Sequence, residues 1–318
     1  YLAIQGPPGT GKTTLASKII VELMRRGHKI GVSSNSHKAI HELLKGVESQ
    51  AELTGVNFRG MKKVSLGFPD SFFDGRFIDN TMSVKGIDLE SCSLVAGTAF
   101  LFCNEAMEDT LDYLFVDEAG QVSLGHLAAM GAAAKNIIIV GDQMQLSQPV
   151  QGTHPGDSGK STLEYLLEGQ DTIPEHRGIL LPVSYRLNPS ICDFISEAVY
   201  EGRLKPAPGN WQQKLYRPLD ENLGIGSEGI GFIDVNHEGR SQRSDEEGEV
   251  IIGLFHRALK NRYTDSNGIE RDMTMDDIMV VAFYNHVQPG TDKVINHVKT
   301  PETHNQSIRI NNEKTTPI

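Results

Sequence analysis

The sequence predicts an α/β fold in which parallel sheets carry helices on their flanks. Short apolar runs alternate along the chain with amphipathic stretches of helical period, as expected for repeated strand–helix–strand units. A glycine-rich loop separates a first strand, over residues 1–4, from a first helix, over residues 14–26. Later apolar runs end in small polar or acidic residues. Because ligand sites in parallel sheets lie at the carboxyl ends of the strands, these residues predict a binding edge.

Composition restricts the class of protein. A length of 318 residues leaves room for two domains, and 38% hydrophobic with 22% charged residues is typical of globular proteins. No apolar run is long enough to span a membrane, and we expect neither a signal peptide nor a membrane partner. The three cysteines lack metal-ligand spacing, which predicts buried thiols and a cytoplasmic protein. A net charge of −11 argues against attraction of nucleic acid to the whole surface but is compatible with a local polar channel.

The glycine-rich loop predicts a nucleotide site. It matches the pattern G-x-x-x-x-G-K-[ST], whose backbone amides wrap the phosphates of ATP or GTP. Lys12 would supply charge to the β- and γ-phosphates, and the hydroxyl of Thr13 would join the shell of a Mg²⁺ ion. We name residues 6–13 the phosphate loop. The residues expected to bind the nucleotide are Gly6, Pro7, Pro8, Gly9, Thr10, Gly11, Lys12, Thr13 and Thr14.

An acidic pair supplies the second half of this site. The apolar run over residues 112–116 ends in Asp117 and Glu118, where the carboxyl end of a strand is expected. Asp117 would hold Mg²⁺ through water, and Glu118 would orient or deprotonate the water that attacks the nucleotide. Two adjacent carboxylates repel each other unless a cation is near, so an idle structural role is the weaker interpretation.

Residues 34–40, which follow a second predicted strand over residues 29–33, have two interpretations. The small polar residues among them could contact a ligand at the strand end, but Ser36 is more simply the cap of the helix that follows. His37 and His41 on that helix have metal-ligand spacing, but no third ligand is evident. We therefore reject a metal site there.

The domain organisation follows from breaks in the strand–helix pattern. Residues 1–177 predict a first domain, with a loop-rich insertion over about residues 46–92, where periodicity is weak. Residues 178–318 predict a second domain. Its expected elements are helices over residues 190–200 and 244–260 and strands over residues 231–235 and 278–283.

Six short stretches occur in the order of the motifs of superfamily 1 helicases. They are GPPGTGKT, SSNSHKAI, AGTA, VDEAGQ, GDQMQL and SYRLNP. The chain resembles the 1B branch, which contains the nonsense-mediated-decay helicase, and phrases such as FISEAVYEGRL are more similar still to bacterial helicases fused to a RecB-like nuclease. This resemblance covers about residues 1–285.

The resemblance implies tandem RecA-like domains, with ATP and Mg²⁺ in the cleft between them and single-stranded nucleic acid across their top. By that match Gln145 would sense the γ-phosphate, Tyr185 would stack on the adenine, and Arg186 would reach from the second domain as an arginine finger. From the residues alone, Tyr185 and Arg186 would be a surface pair. The catalytic set would be Lys12, Asp117, Glu118, Gln145 and Arg186, and the nucleic-acid contacts Ser34, Asn35 and Thr98.

The chain departs from the family pattern at its end. Phe283 stands where the family usually has proline, and the likeness fails beyond Gln288. A glutamine-glycine-glutamine motif, a later motif with a second arginine finger, an upstream adenine-reading glutamine motif and the nuclease half are all missing. We therefore expect a core truncated at both ends, with an incomplete second domain and an atypical tail over about residues 289–318.

Three functions compete. The leading hypothesis is an ATP hydrolase: a helicase or translocase core that steps along single-stranded DNA, 5′ to 3′ by resemblance, with RNA as an alternative substrate. The alternative is a truncated, catalytically weak fragment that binds nucleotide and nucleic acid. A third is a phosphate-loop ATPase that acts on protein partners, against which the motifs around Ser34 and over residues 141–146 weigh.

Overall fold

The computed structural model of the chain describes residues 1–145, 152, 154–236, 238–239 and 244–281. The chain divides into two compact units, Tyr1–Asn210 and Trp211–Ile318. The stretch between residues 178 and 210 therefore lies with the first unit, and the predicted domain division at residue 178 stays a prediction. Within the described ranges, no helix combines the length and the apolar character that a membrane crossing requires.

The first unit is organised around a sheet of eight parallel strands. They are β1 (Leu2–Gln5), β2 (Ile30–Ser33), β3 (Gly60–Lys63), β4 (Ile78–Thr81), β5 (Leu94–Gly97), β6 (Leu111–Val116), β7 (Ala134–Gly141) and β8 (Gly178–Leu180). Their order in the sheet is β4-β3-β5-β2-β6-β7-β1-β8. The carboxyl ends of all eight strands therefore face one edge.

Helices cover both faces of this sheet. They are α1 (Lys12–Arg25), α2 (His37–Thr54), α3 (Ala99–Phe102), α4 (Leu124–Met130) and α5 (Thr162–Leu167). A further helix, α6 (Pro189–Val199), follows β8 in the chain. Successive strand residues enter opposite cores: Leu114 packs in the cluster that contains α3 and α5 residues, and Phe115 packs in the cluster under α1 and α2. Burial on both faces explains the continuous apolar run over residues 113–116 in the central strand β6.

Local signals set the ends of the first two helices. Gly27, at φ +85°, follows the last turn of α1, a backbone conformation that glycine adopts without strain. The hydroxyl of Ser36 accepts a hydrogen bond from the backbone N–H of Ala39 and so caps α2. The cap at Ser36 is the one expected from the sequence.

Residues 46–92 are not a loop-rich insertion throughout. The helix α2 continues to Thr54, and β3 and β4 extend the central sheet. The side chain of Lys62 in β3 is fully buried and its ammonium donates to the carbonyl of Ser71. A charged residue in the interior of a four-residue strand removed the apolar pattern on which strand prediction depends.

A small element group completes the first unit. The strands β9 (Val183–Ser184) and β10 (Lys205–Pro206) pair in parallel, and α6 lies between them in sequence. Cys192 of this helix forms a buried cluster with Tyr200 and Leu204. The predicted helix over residues 190–200 is thus confirmed.

The described part of the second unit holds one α-helix and one small sheet. The helix is α7 (Asp245–Leu259), and the antiparallel strands are β11 (Lys214–Leu215), β12 (Arg262–Thr264) and β13 (Glu270–Asp272). Ser244 accepts from the N–H of Glu247 and caps α7 as predicted. Arg257 of this helix pairs with the buried carboxylate of Asp220.

Two strand predictions for this unit are wrong. Residues 231–235 and 278–281 form no strand, and Met279 and Val281 are exposed. Residues 282–283 lie outside the described part. Within the described part the unit offers only an antiparallel sheet, so these apolar runs have no parallel neighbour with which to pair. The predicted fold class is confirmed for the parallel sheet with flanking helices, and the second sheet is incomplete.

The buried Lys62 generates a stability prediction. Burial lowers the pKa of its ammonium from 10.5 to about 8. Between pH 8 and pH 10.5 the unfolded chain then binds more protons than the folded chain, so stability rises with pH across this window. Relative to a Lys62→Met variant, the wild-type free energy of unfolding should rise by up to about 3 kcal/mol from pH 8 to pH 10.5.

Urea denaturation at pH 7.5, 9 and 10.5 measures this difference. The exposed Lys85 provides the control, and a Lys85→Met variant should follow the wild-type pH profile. Parallel profiles for wild type and Lys62→Met would contradict the prediction.

Candidate nucleotide site

The phosphate loop is fixed at the end of β1. The N–H of Gly6 donates to the carbonyl of Gly141 at 2.8 Å, which attaches the start of the loop to the end of β7. Inside the loop, the Thr10 hydroxyl donates to the carbonyl of Pro7 at 2.8 Å. Gly11, at φ +79°, is the residue before α1, so the helix begins at Lys12, two residues earlier than predicted. The loop therefore joins the edge where the carboxyl ends of the strands meet.

Close approach and backbone conformation both require glycine in this loop. Gly9 has φ +74°, and a Cβ built there would overlap the Cβ of Arg186. A Cβ at Gly6 would overlap the side chain of Lys12. The loop and the segment that carries Arg186 thus pack with no clearance for a side chain.

Lys12 lies across the loop. Its ammonium donates to the carbonyl of Gly6 at 2.6 Å, and its charge acts to lower the pKa of Asp117. The Lys12 ammonium is therefore bound by a neutral carbonyl oxygen. An anionic phosphate oxygen could take the place of that carbonyl, because its hydrogen bond to the ammonium is stronger.

The acidic pair stands directly after β6. The N–H of Asp117 donates to the carbonyl of Ser33 at 2.9 Å, and its carboxylate accepts from the N–H of Glu118 at 2.9 Å. Burial of Asp117, together with the adjacent charge of Glu118, raises its pKa to about 6. Glu118 has φ +52°, a left-handed conformation that costs a non-glycine residue on the order of 1 kcal/mol. Burial, like-charge repulsion and backbone strain meet at this strand end, a combination that marks functional sites.

The motif after β7 supplies the predicted sensor. The Nε2 of Gln145 donates to Oδ2 of Asp142 at 3.3 Å, and Asp142 is 1% exposed. β7 lies between β6 and β1 in the sheet. Gln145 thus follows the strand that separates the acidic pair from the phosphate loop.

Tyr185 and Arg186 lie against the phosphate loop. The N–H of Tyr185 donates to the carbonyl of Gly9 at 2.9 Å, and the hydroxyl of Ser184 donates to the carbonyl of Pro8 at 2.8 Å. Tyr185 is 65% exposed. This segment, which we placed in the second domain, lies with the first unit and against the phosphate loop.

The predicted nucleic-acid contacts follow β2 and β5, which are neighbours in the sheet. The amide of Asn35 donates to the carbonyl of Gln121, and Thr98 is the half-buried residue before α3. Ser34 is 2% exposed and its hydroxyl is buried without a hydrogen bond. The three residues reach the predicted edge, although the Ser34 side chain is not accessible from outside.

Sequence reasoning missed Gln5. Its buried amide donates to the Gln143 side chain and to the carbonyl of Asp171, both at 2.9 Å, and accepts from the N–H of Ile173 at 2.7 Å. Gln5 thereby holds the segment that leads into β8. The available signal was a polar side chain at the end of an otherwise apolar strand.

Comparison with known proteins identifies the family to which this chain belongs. Two family models, each described as an AAA domain, match residues 1–158 and 159–312. The chain is 29% identical over 214 residues to the DNA replication ATP-dependent helicase/nuclease DNA2 of Gallus gallus, across 64% of this chain and 21% of that protein. This chain is a superfamily 1 helicase core. The resemblance stated from the motifs is confirmed, whereas the fused RecB-like nuclease stays a prediction.

Other relatives of the helicase core carry similar names. It is 28% identical over 235 residues to the ATP-dependent helicase NAM7 of Saccharomyces cerevisiae, across 64% of the chain and 24% of that protein. It is 24% identical over 346 residues to the DNA polymerase alpha-associated DNA helicase A of Schizosaccharomyces pombe, across 89% of this chain and 50% of that protein. The helicase core thus spans half or less of these relatives, and its family implies the use of ATP.

The structural comparison also found a viral helicase. It is described as a complex of Arterivirus nonstructural protein 10 (helicase) with DNA, at a TM-score of 0.41 and 17% identity. The match covers 65% of this chain and 41% of that one.

The packing at Gly9 predicts a nucleotide-binding defect. A Gly9→Ala variant should weaken ATP binding at least tenfold, because the added methyl group displaces either the loop or the Arg186 segment. Gly27→Ala is the matched control: it also has a positive φ, but nothing lies within 4 Å of the added atom. It should cost about 1 kcal/mol in stability and leave ATP affinity unchanged.

Titration with a fluorescent ATP analogue, together with thermal melts, measures both effects. Equal ATP affinity in the two variants would show that the close contact with Arg186 has no role in shaping the loop.

Proposed function

We propose that this helicase core hydrolyses ATP at the phosphate loop and uses the energy to move along single-stranded DNA. The hydrogen bond from Tyr185 to Gly9 carries this proposal, because it holds Arg186 beside the loop that would bind the transferred phosphate. A positive charge at this place stabilises the charge that develops on the phosphate oxygens.

The loop would bind the triphosphate through backbone N–H groups and Lys12. The ammonium of Lys12 would exchange the Gly6 carbonyl for oxygens of the β- and γ-phosphates. The exposed ring of Tyr185 would stack on the adenine. Thr14, exposed at the start of α1, completes the group of polar residues around the phosphates.

Thr13 and Asp117 fit a Mg²⁺ ion. Both offer oxygen ligands, and the buried carboxylate of Asp117 has a raised pKa that a nearby cation would oppose. When bound, Mg²⁺ would neutralise charge on the β- and γ-phosphate oxygens. Glu118 would accept the proton of the attacking water, and Gln145 would sense the γ-phosphate.

Single-stranded DNA would cross the carboxyl edge of the sheet. Asn35 and Thr98 would contact its phosphates, with Ser34 acting behind them because its side chain is buried. Two relatives, the helicase/nuclease DNA2 and the DNA polymerase alpha-associated DNA helicase A, have DNA in their names, which supports DNA over RNA. Movement in the 5′ to 3′ direction and coupling to a nuclease in a longer protein remain parts of this proposal.

An alternative function is a fragment that binds nucleotide and nucleic acid with weak turnover. The small antiparallel sheet in the described part of the second unit favours it, because a complete motor needs two full domains to close on ATP.

Steady-state ATP hydrolysis with and without an oligo(dT) strand tests the proposal. Wild type should hydrolyse ATP faster with the strand. Glu118→Gln should lower kcat at least 100-fold and preserve ATP affinity, because the amide cannot accept the proton of the attacking water. Lys12→Ala should lose ATP affinity itself.

Different ATP hydrolysis results would support different functions. Tight ATP binding without turnover would favour the weak fragment, and turnover indifferent to oligo(dT) would indicate an ATPase that acts on protein partners. Faster turnover with oligo(U) than with oligo(dT) would make RNA the substrate.

Thr98 provides a test of the nucleic-acid edge. Its side chain makes no capping bond to α3, so Thr98→Val should leave the stability nearly unchanged. The lost hydroxyl should weaken oligo(dT) binding about three- to tenfold, since a phosphate contact contributes about 1 kcal/mol. Thr54→Val, at the far end of α2, is the matched control and should bind oligo(dT) like wild type.

Fluorescence anisotropy of labelled oligo(dT) measures both affinities. If Thr98→Val binds as tightly as Thr54→Val, Thr98 lies outside the nucleic-acid path.

A further inference from the structure

Asp142 is a buried carboxylate with three uncharged donors. It follows β7 directly and is 1% exposed. The hydroxyl of Tyr200 donates to Oδ2 at 2.8 Å, and Nε2 of Gln145 donates to the same oxygen at 3.3 Å. The N–H of Met144 donates to Oδ1 at 3.2 Å. The carboxylate therefore connects the predicted γ-phosphate sensor to the end of α6.

This arrangement determines which end of the Gln145 amide faces the carboxylate. A carboxylate only accepts hydrogen bonds, whereas an amide side chain has a donor nitrogen and an acceptor oxygen. The reverse orientation would place two acceptors against each other in a buried place, at a cost of about 1–3 kcal/mol. With the nitrogen held, the amide oxygen is the end that can accept a hydrogen bond from an attacking water.

We propose that Asp142 and Tyr200 are positioning residues that fix the Gln145 amide in its hydrolytic orientation. This inference rests on the proposed ATP hydrolysis. Neither residue touches the nucleotide in this scheme: Asp142 acts on Gln145, and Tyr200 acts on Asp142.

Tyr200 suits this role because its hydroxyl is a permanent donor. Burial and the neighbouring carboxylate of Asp142 raise the pKa of the phenol, so it keeps its proton. The side chain is 1% exposed and packs with Cys192 and Leu204, which restricts its motion. A hydroxyl without this anchorage would donate to Asp142 only part of the time.

The helix α6, which Tyr200 follows directly, starts next to the predicted arginine finger. It begins at Pro189, three residues after Arg186, and its 11 residues span about 16 Å. Asn210 donates to the carbonyls of Ser184 and Leu187 at 2.8 and 2.9 Å, which fixes the first end of α6. One rigid element therefore sets the positions of the sensor and of the finger segment.

A Tyr200→Phe variant tests the inference by steady-state ATP hydrolysis. It should lower kcat about tenfold and leave both the KM and the affinity for ATP within twofold of wild type. Ser196→Ala on the same helix is the matched control, because it also loses a buried side-chain hydrogen bond, from its hydroxyl to the Leu204 carbonyl at 2.8 Å. It should lose comparable thermal stability but keep the wild-type kcat.

A double-mutant cycle separates positioning from structural support. If Tyr200 acts through Gln145, the kcat of Gln145→Ala combined with Tyr200→Phe should equal that of Gln145→Ala alone. Multiplied losses in the double variant, or a wild-type kcat in Tyr200→Phe, would overturn the inference.

A second variant covers the case in which Tyr200→Phe does not fold. Asp142→Asn replaces the acceptor with an amide that can pair with either end of Gln145, and it should also lower kcat without raising the KM. An unchanged kcat in Asp142→Asn overturns the inference. The proposed function still stands in that case, provided that the wild-type chain hydrolyses ATP. A wild-type chain that does not hydrolyse ATP overturns both.

Discussion

Strand β1 pairs on one side with β7 and on the other with β8, and the site depends on this placement. Gln5, its last residue, is in register with Gly141 and with Leu180. The phosphate loop therefore leaves the sheet between the strand that leads to the sensor and the strand that leads to Tyr185 and Arg186. Loop, sensor and finger segment converge because the chain inserts its first strand between two later ones.

Local patterns predicted the parts of the site that carry their own geometry. The phosphate loop, the acidic strand end and the cap of α2 each depend on residues within one short stretch, and each appears where expected. Hydrogen bonds between residues far apart in the sequence could not be predicted from local patterns. Gln5 and Ile173 are 168 positions apart, and Asp142 and Tyr200 are 58 positions apart. The strand β3 was missed for a different reason, since its buried lysine is stabilised by a carbonyl outside the strand.

Buried polar groups give this edge of the sheet its definite shape. Gln5, Asp117 and Asp142 are each at most 6% exposed. Each makes a hydrogen bond to a different segment: Gln5 to Ile173, Asp117 through its N–H to Ser33, and Asp142 to Tyr200. A buried polar group that loses its partner costs about 1–3 kcal/mol, which penalises alternative arrangements of the loops. The net charge of −11 also makes the cations at the site, Lys12 and Arg186, important for attracting an anionic nucleotide.

The neighbours of β1 also determine when the site can form during folding. Its partners Ile138 and Gly178 and the bond from Ser184 to Pro8, 176 positions apart, all come from chain that is synthesised much later. A ribosome therefore releases the nucleotide loop long before it releases the strands that hold it. Contacts of such high sequence separation form slowly, and the first strand must wait with its backbone unpaired. The most local motif in the sequence is thus among the last parts of the structure to reach its final shape.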